Sequence, residues 1–138
     1  MSEPASDTHL PDLRAIRERL GLSQAEFATL LGFSTRTVQS CEQGWRKPSP
    51  ALHKTALLLL MAEEQGADFD KVICWKETHC PPERREKCVA YHARQGHLCW
   101  FLTGTLCGGT RLHTWTDKQV RCSKCIVFKK LTGQAGQD

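Results

Sequence analysis

Ser23-Gln24-Ala25-Glu26-Phe27-Ala28-Thr29-Leu30-Leu31-Gly32-Phe33-Ser34-Thr35-Arg36-Thr37-Val38-Gln39-Ser40-Cys41-Glu42-Gln43-Gly44 is the stretch that decides how the first half of this chain folds. Ser23 is a good helix N-cap, and Glu26 completes a capping box with it, each side chain satisfying an otherwise unpaired backbone N–H of the other. Ala25, Ala28 and the Leu30-Leu31 pair supply the apolar face, with Phe27 beside them. Gly32 should stop this helix, because left-handed backbone costs glycine little. Ser34 caps a second helix, in which Val38 and Cys41 turn inward. Gly44 closes it. Two brief helices joined by a short glycine-containing turn make a helix-turn-helix unit.

Working outward, Pro11 suits a first helical position, and Asp12 complements the positive end of a helix dipole. Leu13, Ile16 and Leu20 recur at helical spacing, so a helix runs to about Leu20, with Gly21 at its end. On the other side, Ser49-Pro50 opens a helix that continues through the run Leu57-Leu58-Leu59-Leu60-Met61 and ends at Gly66. Leu52, Ala56 and Leu59 can fill a core, yet Leu57, Leu58 and Met61 remain. So wide a stripe points to burial on a second side, by the later part of the chain or by a second copy. The first nine residues read as a disordered leader and 133–138 as a disordered tail.

The chain of 138 residues has room for one ordinary domain or two small ones. Its net charge of +4 hides an asymmetry. Residues 1–70 hold seven Lys/Arg against ten Asp/Glu, whereas 71–138 hold twelve against five. Of eight cysteines, one lies in the first part and seven in the second. Both shifts mark a domain boundary near Gly66-Ala67-Asp68. No run of eighteen apolar residues offers a membrane span, and the first residues lack the basic and apolar regions of a signal peptide. A cytoplasmic protein without a membrane partner is expected.

The segment from about Leu13 to Leu60 resembles the Cro/cI-type (Xre) helix-turn-helix domains. The likeness rests on Leu20-Gly21-Leu22-Ser23-Gln24 at the entry, Ala28 at the helix crossing, Gly32 in the turn, and Glu42-Gln43-Gly44 followed by Arg46-Lys47-Pro48-Ser49. It implies a four- to five-helix bundle over residues 10–66 that binds double-stranded DNA. The helix over 35–43 would lie in the major groove with its N-terminal side chains on base edges. Thr35, Arg36 and Ser40 match base-reading positions, with Ser34, Thr37 and Gln39 beside them. Arg36 stands out, since a guanidinium pairs bidentately with guanine O6 and N7. Gln24 matches a phosphate-contacting amide, and Arg46 and Lys47 further phosphate contacts. Glu42 matches an acid that pairs with an arginine on the first helix, here Arg17. A homodimer is expected, because paired units read two half-sites about one helical turn apart.

From Cys74 onward the sequence changes character. Cys74, Cys80, Cys88, Cys99, Cys107, Cys122 and Cys125 crowd a short segment, and Trp follows both Cys74 and Cys99. Disulfides are disfavoured in the cytoplasm, so metal ligation is the physical default, and so small a module needs a staple. The segment from about Cys74 to Leu131 resembles the small "two-CW" cysteine-rich modules attached to bacterial regulators. That likeness rests on Cys74-Trp75, Glu86-Lys87-Cys88-Val89-Ala90-Tyr91, Cys99-Trp100, Gly104-Thr105-Leu106-Cys107-Gly108-Gly109 and Cys122-x-x-Cys125-x-x-Phe128. The expected architecture is therefore mainly α, with the bundle followed by a metal-stabilised module over 72–132. Zinc and an iron–sulfur cluster both take four thiolates, and spacing does not choose between them. His79, His92, His97 and His113 are further ligand candidates for a second site.

Three functional classes follow. The first is a transcriptional regulator whose cysteine module holds a metal centre, structural or sensing. The second is an antitoxin-type repressor with a toxin partner, suggested by the likeness of residues 42–52 to antitoxin versions of the domain. The third is a thiol redox protein using Cys122 and Cys125, disfavoured because no thioredoxin-like βαβ pattern surrounds them. No enzymatic activity is expected.

Overall fold

A computed structural model describes residues 10–133, so the expected disordered leader over 1–9, and all of the expected tail but Gly133, lie outside the described residues. The chain divides into two compact units, residues 11–63 and residues 64–133 with Leu10. Mainly helical structure is found in both, as expected, together with one short β-hairpin among the described residues.

The first unit is built from α1 (Leu13–Leu20), α2 (Gln24–Leu31), α3 (Thr35–Glu42) and most of α4 (Pro50–Gln65). Asp12 is itself the N-cap of α1, accepting from the Ala15 N–H at 2.9 Å. The capping box of α2 is complete: Glu26 N donates to Ser23 Oγ at 3.1 Å, and Ser23 N donates to Glu26 Oε1 at 2.9 Å. Gly32 ends α2 in the left-handed region at φ +77°, which lets Phe33 N donate back to Ala28 O at 2.9 Å. Leu13, Ile16, Phe27, Ala28, Val38, Leu52 and Ala56 form the core.

Two apolar assignments differ from expectation. On α2 the buried face is Phe27, Ala28 and Leu31, while Leu30 is 60% exposed, because at 100° per residue it falls opposite Ala28. On α4 burial follows the rows 52-56-60 and 53-57-61, which places Leu58 and Leu59 at the sides, only half-buried. Leu57 and Met61 are buried in the single chain, so the width of the stripe no longer argues for a second copy.

His53 lies on that second row, buried, with its Nε2 donating to Pro11 O at 2.8 Å. Burial lowers its pKa from the ordinary value, against the opposing effects of the Pro11 hydrogen bond and Asp12. A histidine so depressed binds protons more readily in the unfolded chain. Its contribution is therefore full above the unfolded value of about 6.5 and lost as pH falls below it, with a slope of at most about 1.4 kcal/mol per pH unit. Thermal melts between pH 7 and pH 5 should show this loss, and His53→Gln should flatten it. Equal slopes in the two proteins would show that His53 is not the titrating group.

The second unit is a set of short elements. After a 3₁₀ turn over Gly66–Lys71 come α5 (Cys74–Glu77), α6 (Pro82–Arg85), α7 (Val89–His92) and a 3₁₀ turn over Gly96–Leu98. The hairpin β1 (Thr105–Cys107) and β2 (Thr110–Leu112) and the helices α8 (Trp115–Cys122) and α9 (Ile126–Leu131) complete it. Trp100, Val127, Phe128, Leu131 and Ala90 are its buried centre, and Trp100 meets the Phe128 ring edge-on at 6.1 Å. Gly96 is required where the chain crosses itself: a Cβ there would sit 2.8 Å from Ile73 Cγ2 and 3.0 Å from Cys74 N. The hairpin turns through Gly108 and Gly109, both at positive φ, and pairs Cys107 with Thr110. Two consecutive left-handed residues are what a tight two-residue hairpin loop demands.

Candidate nucleic-acid interface and cysteine chamber

In the first unit α3 is laid across α2 with Val38 buried between them, so the residues flanking Val38 face out. Arg36 and Gln39 are exposed, while Thr35, Thr37 and Ser40 are half-buried. Ser34 caps α3, its Oγ accepting from Thr37 N at 3.0 Å and sharing a hydrogen bond with Thr37 Oγ1 at 2.8 Å. The hydroxyls of Ser34 and Thr37 are thus engaged with each other at the helix start. Arg46 and Lys47 follow in an exposed loop, beside Trp45, which is 80% exposed.

Behind this face lies a polar network. Glu42, its side chain only 2% exposed, accepts from Arg17 Nε at 2.7 Å and Arg17 Nη2 at 3.0 Å. Gln24 Nε2 donates to the same carboxylate at 3.0 Å, and Gln39 Nε2 donates to Gln24 Oε1 at 3.3 Å. Burial would raise the Glu42 carboxyl, but the hydrogen bonds from Arg17 and Gln24 and the nearby arginine charges outweigh it and hold it below the ordinary range. The expected Arg17–Glu42 pair is present. Gln24, expected on phosphate, hydrogen-bonds Glu42 and Gln39 through its amide, which ties Gln39, an outward residue of α3, to α2. Cys41 is half-buried, and burial pushes its thiol up despite Arg46 nearby.

The second unit gathers its cysteines. Cys74, Cys80, Cys88, Cys99, Cys107 and Cys125 line one chamber of about 290 Å³. Cys122, buried, lies close enough to interact electrostatically with Cys99, Cys107 and Cys125. All are free thiols. Among the described residues, no group of three or more His, Cys, Asp or Glu side chains is placed so as to hold a metal ion. His79, His92, His97 and His113 do not line the chamber. His92 Nε2 is hydrogen-bonded to Glu86 O, and the His97 ring packs edge-on against Phe69 at 4.9 Å.

Three cations accompany the thiols. Arg84 and Arg121 line the chamber, and the Arg121 guanidinium covers Gly108 so closely that a Cβ there would fall 1.9 Å from its Nη2. Lys118 is fully buried, its Nζ donating to Cys99 O at 2.5 Å and to Thr105 Oγ1 at 2.6 Å. Sequence reasoning passed over all three. A Lys in the middle of a polar helix reads as solvated, and only the packing of α8 turns it inward. The hairpin was also missed, although Gly-Gly between Cys107 and Thr110 was its signal. Burial raises the thiols of Cys80 and Cys125 and pushes Cys122 up to about 12, the opposite of the activation that a redox Cys-x-x-Cys pair needs.

Residues 12–65 match the family model described as a helix-turn-helix domain. That span covers α1 through α4, so the recognised segment and the first unit nearly coincide. Comparisons with curated proteins and with solved structures return no match. No helix among the described residues is long and apolar enough to cross a membrane.

Proposed function

We propose that the helix-turn-helix domain of residues 12–65 makes this protein a sequence-specific transcriptional regulator, with α3 seated in the major groove. The observation that carries the reading is the orientation of α3. Val38 is buried beneath the helix while Arg36 and Gln39 stand exposed on it, with Arg46 and Lys47 close by on the following loop. Arg36 reads guanine, and Thr35 and Ser40 adjoin it. Arg46 and Lys47 neutralise phosphates. Gln39 is steered by Gln24, so it presents its amide in a restricted orientation. Two copies bind together on a two-fold site. The shallow surface formed by Leu22, Ala25, Glu26, Thr29 and Leu30, with Leu30 60% exposed, supports such pairing. The second unit carries a cysteine-ligated metal centre. The convergence of its free thiols on one chamber supports that part of the reading.

Selection of bound duplexes from a random pool, followed by competition binding, tests the DNA reading. Arg36→Ala should weaken the selected site by roughly 1–3 kcal/mol, about 5- to 150-fold, and relax preference at one base position. Lys47→Ala should weaken all sequences alike and lower the salt slope by about one. Unchanged preference in Arg36→Ala would remove α3 from the groove.

A further inference from the structure

We infer that Trp45 packs its indole against the deoxyribose–phosphate backbone at the rim of the major groove, a sequence-independent apolar contact that seats α3. This rests on the reading of α3 as the helix in the groove and adds a binding residue to that site. Three observations carry it: the exposure of the ring, the way its backbone is held, and the charge around it.

Trp45 is 80% exposed, more than any other large hydrophobic side chain among the described residues. One exposed apolar residue is ordinary in itself, so the place of this one is what matters. Gly44, at φ +83°, turns the chain off the end of α3, and Trp45 N then donates to Ser40 O at 2.9 Å. That bond closes the last turn of the helix, so the Trp45 backbone is fixed to α3 and travels with it. On the other side of the loop Pro48 disfavours helical backbone at Lys47, which stiffens the connection.

Dimensions place the ring. A helix of eight residues is about 12 Å long, and the major groove is about 12 Å wide. With the first residues of α3 on base edges, its other end therefore emerges at the sugar–phosphate wall. The charge there matches a backbone. Between Ser34 and Pro50 the one carboxylate is Glu42, which is buried and paired with Arg17. Arg46 and Lys47, both exposed, thus leave the loop positively charged. Phosphates complement these two cations, and the apolar face of the sugar between phosphates complements the indole. The ring brings a flat apolar surface and an N–H donor, with only two side-chain torsions to immobilise.

Competition binding by the full chain, on the selected duplex and on an unrelated one at several salt concentrations, compares the parent with Trp45→Ala and Trp45→Phe. Trp45→Ala should weaken both duplexes by the same factor, roughly 10-fold, because sugars carry no sequence information. The salt slope should stay that of the parent, since no cation is lost, and Trp45→Phe should recover most of the affinity. A ring already in solvent contributes little to folding, so both variants should melt with the parent. Acrylamide quenching of Trp45, read as the difference between parent and Trp45→Phe fluorescence, should fall when duplex is added. Trp45→Ala binding like the parent overturns the inference while leaving α3 in the groove. A loss confined to one base position would make Trp45 a base reader, and lost self-association without DNA would place the ring between copies. Either result overturns the inference as well. A parent chain that binds no duplex removes the reading of α3 and this inference together.

Discussion

Glu42→Ala is expected to lower the stability of the helix-turn-helix unit by about 3 kcal/mol, the scale found when one partner of a buried ion pair is removed. In a unit this small, such a loss moves the melting midpoint down by more than about 10 °C. The carboxylate accepts three hydrogen bonds, two from Arg17 and one from Gln24, and it links α1, α2 and α3. Without it Arg17, only 15% exposed, keeps just its bond from Nη1 to Leu22 O. Glu42→Gln retains an acceptor oxygen and should lose roughly half as much. Because the folded carboxyl titrates below its unfolded value near 4.3, the contribution is complete above that pH. It disappears as the pH falls through the lower, folded value. Thermal and urea unfolding at pH 7, followed by circular dichroism, measures the effect. A midpoint within a degree or two of the parent would mean that the network does not hold α3 in place.

The second large effect is expected at Trp100. Trp100→Ala should destabilise the cysteine-rich unit by about 3–5 kcal/mol, as for other fully buried aromatic truncations. The indole has no exposed surface, meets Phe101 and Phe128 edge-on, and donates Nε1–H to His97 O at 3.0 Å. Trp75, the other tryptophan that follows a cysteine, provides the contrast. It is half-buried and packs on one side against Tyr91 at 4.9 Å. Trp75→Ala should cost about 1 kcal/mol, since much less surface is lost from the interior. Denaturant unfolding of both variants in the same metal state, followed by tryptophan fluorescence, makes the comparison. Equal losses would remove Trp100 from its place at the centre of the unit.

The two Cys-Trp pairs look alike in the sequence, and that likeness misleads about their roles. Whether the indole is enclosed depends on α9, which arrives about thirty residues later with Phe128. Lys118 repeats the lesson. Local pattern places it among polar residues of α8, and only the enclosure of Cys99 and Thr105 makes it a buried cation.

The first unit was legible residue by residue because its signals are local. Caps at Ser23 and Ser34, a left-handed stop at Gly32 and the inward Val38 each act within one turn of backbone. The same locality let the motif imply the Arg17–Glu42 pair. The side of α2 that Leu30 occupies and the flank of α4 that Leu59 takes depended on which neighbours each helix meets.

What the sequence alone determined, then, is the helix-turn-helix and the presence of a second, cysteine-dense, basic unit. Hydrogen bonds that close over three or four residues leave their mark on neighbouring letters. What only the tertiary structure decided is that six cysteines and two arginines line one chamber, with Cys122 and the buried Lys118 beside it. Residues from Cys74 to Cys125 reach that chamber through separate short elements, and no local interaction encodes their meeting. Packing around Trp100 and the close crossing at Gly96 bring them together.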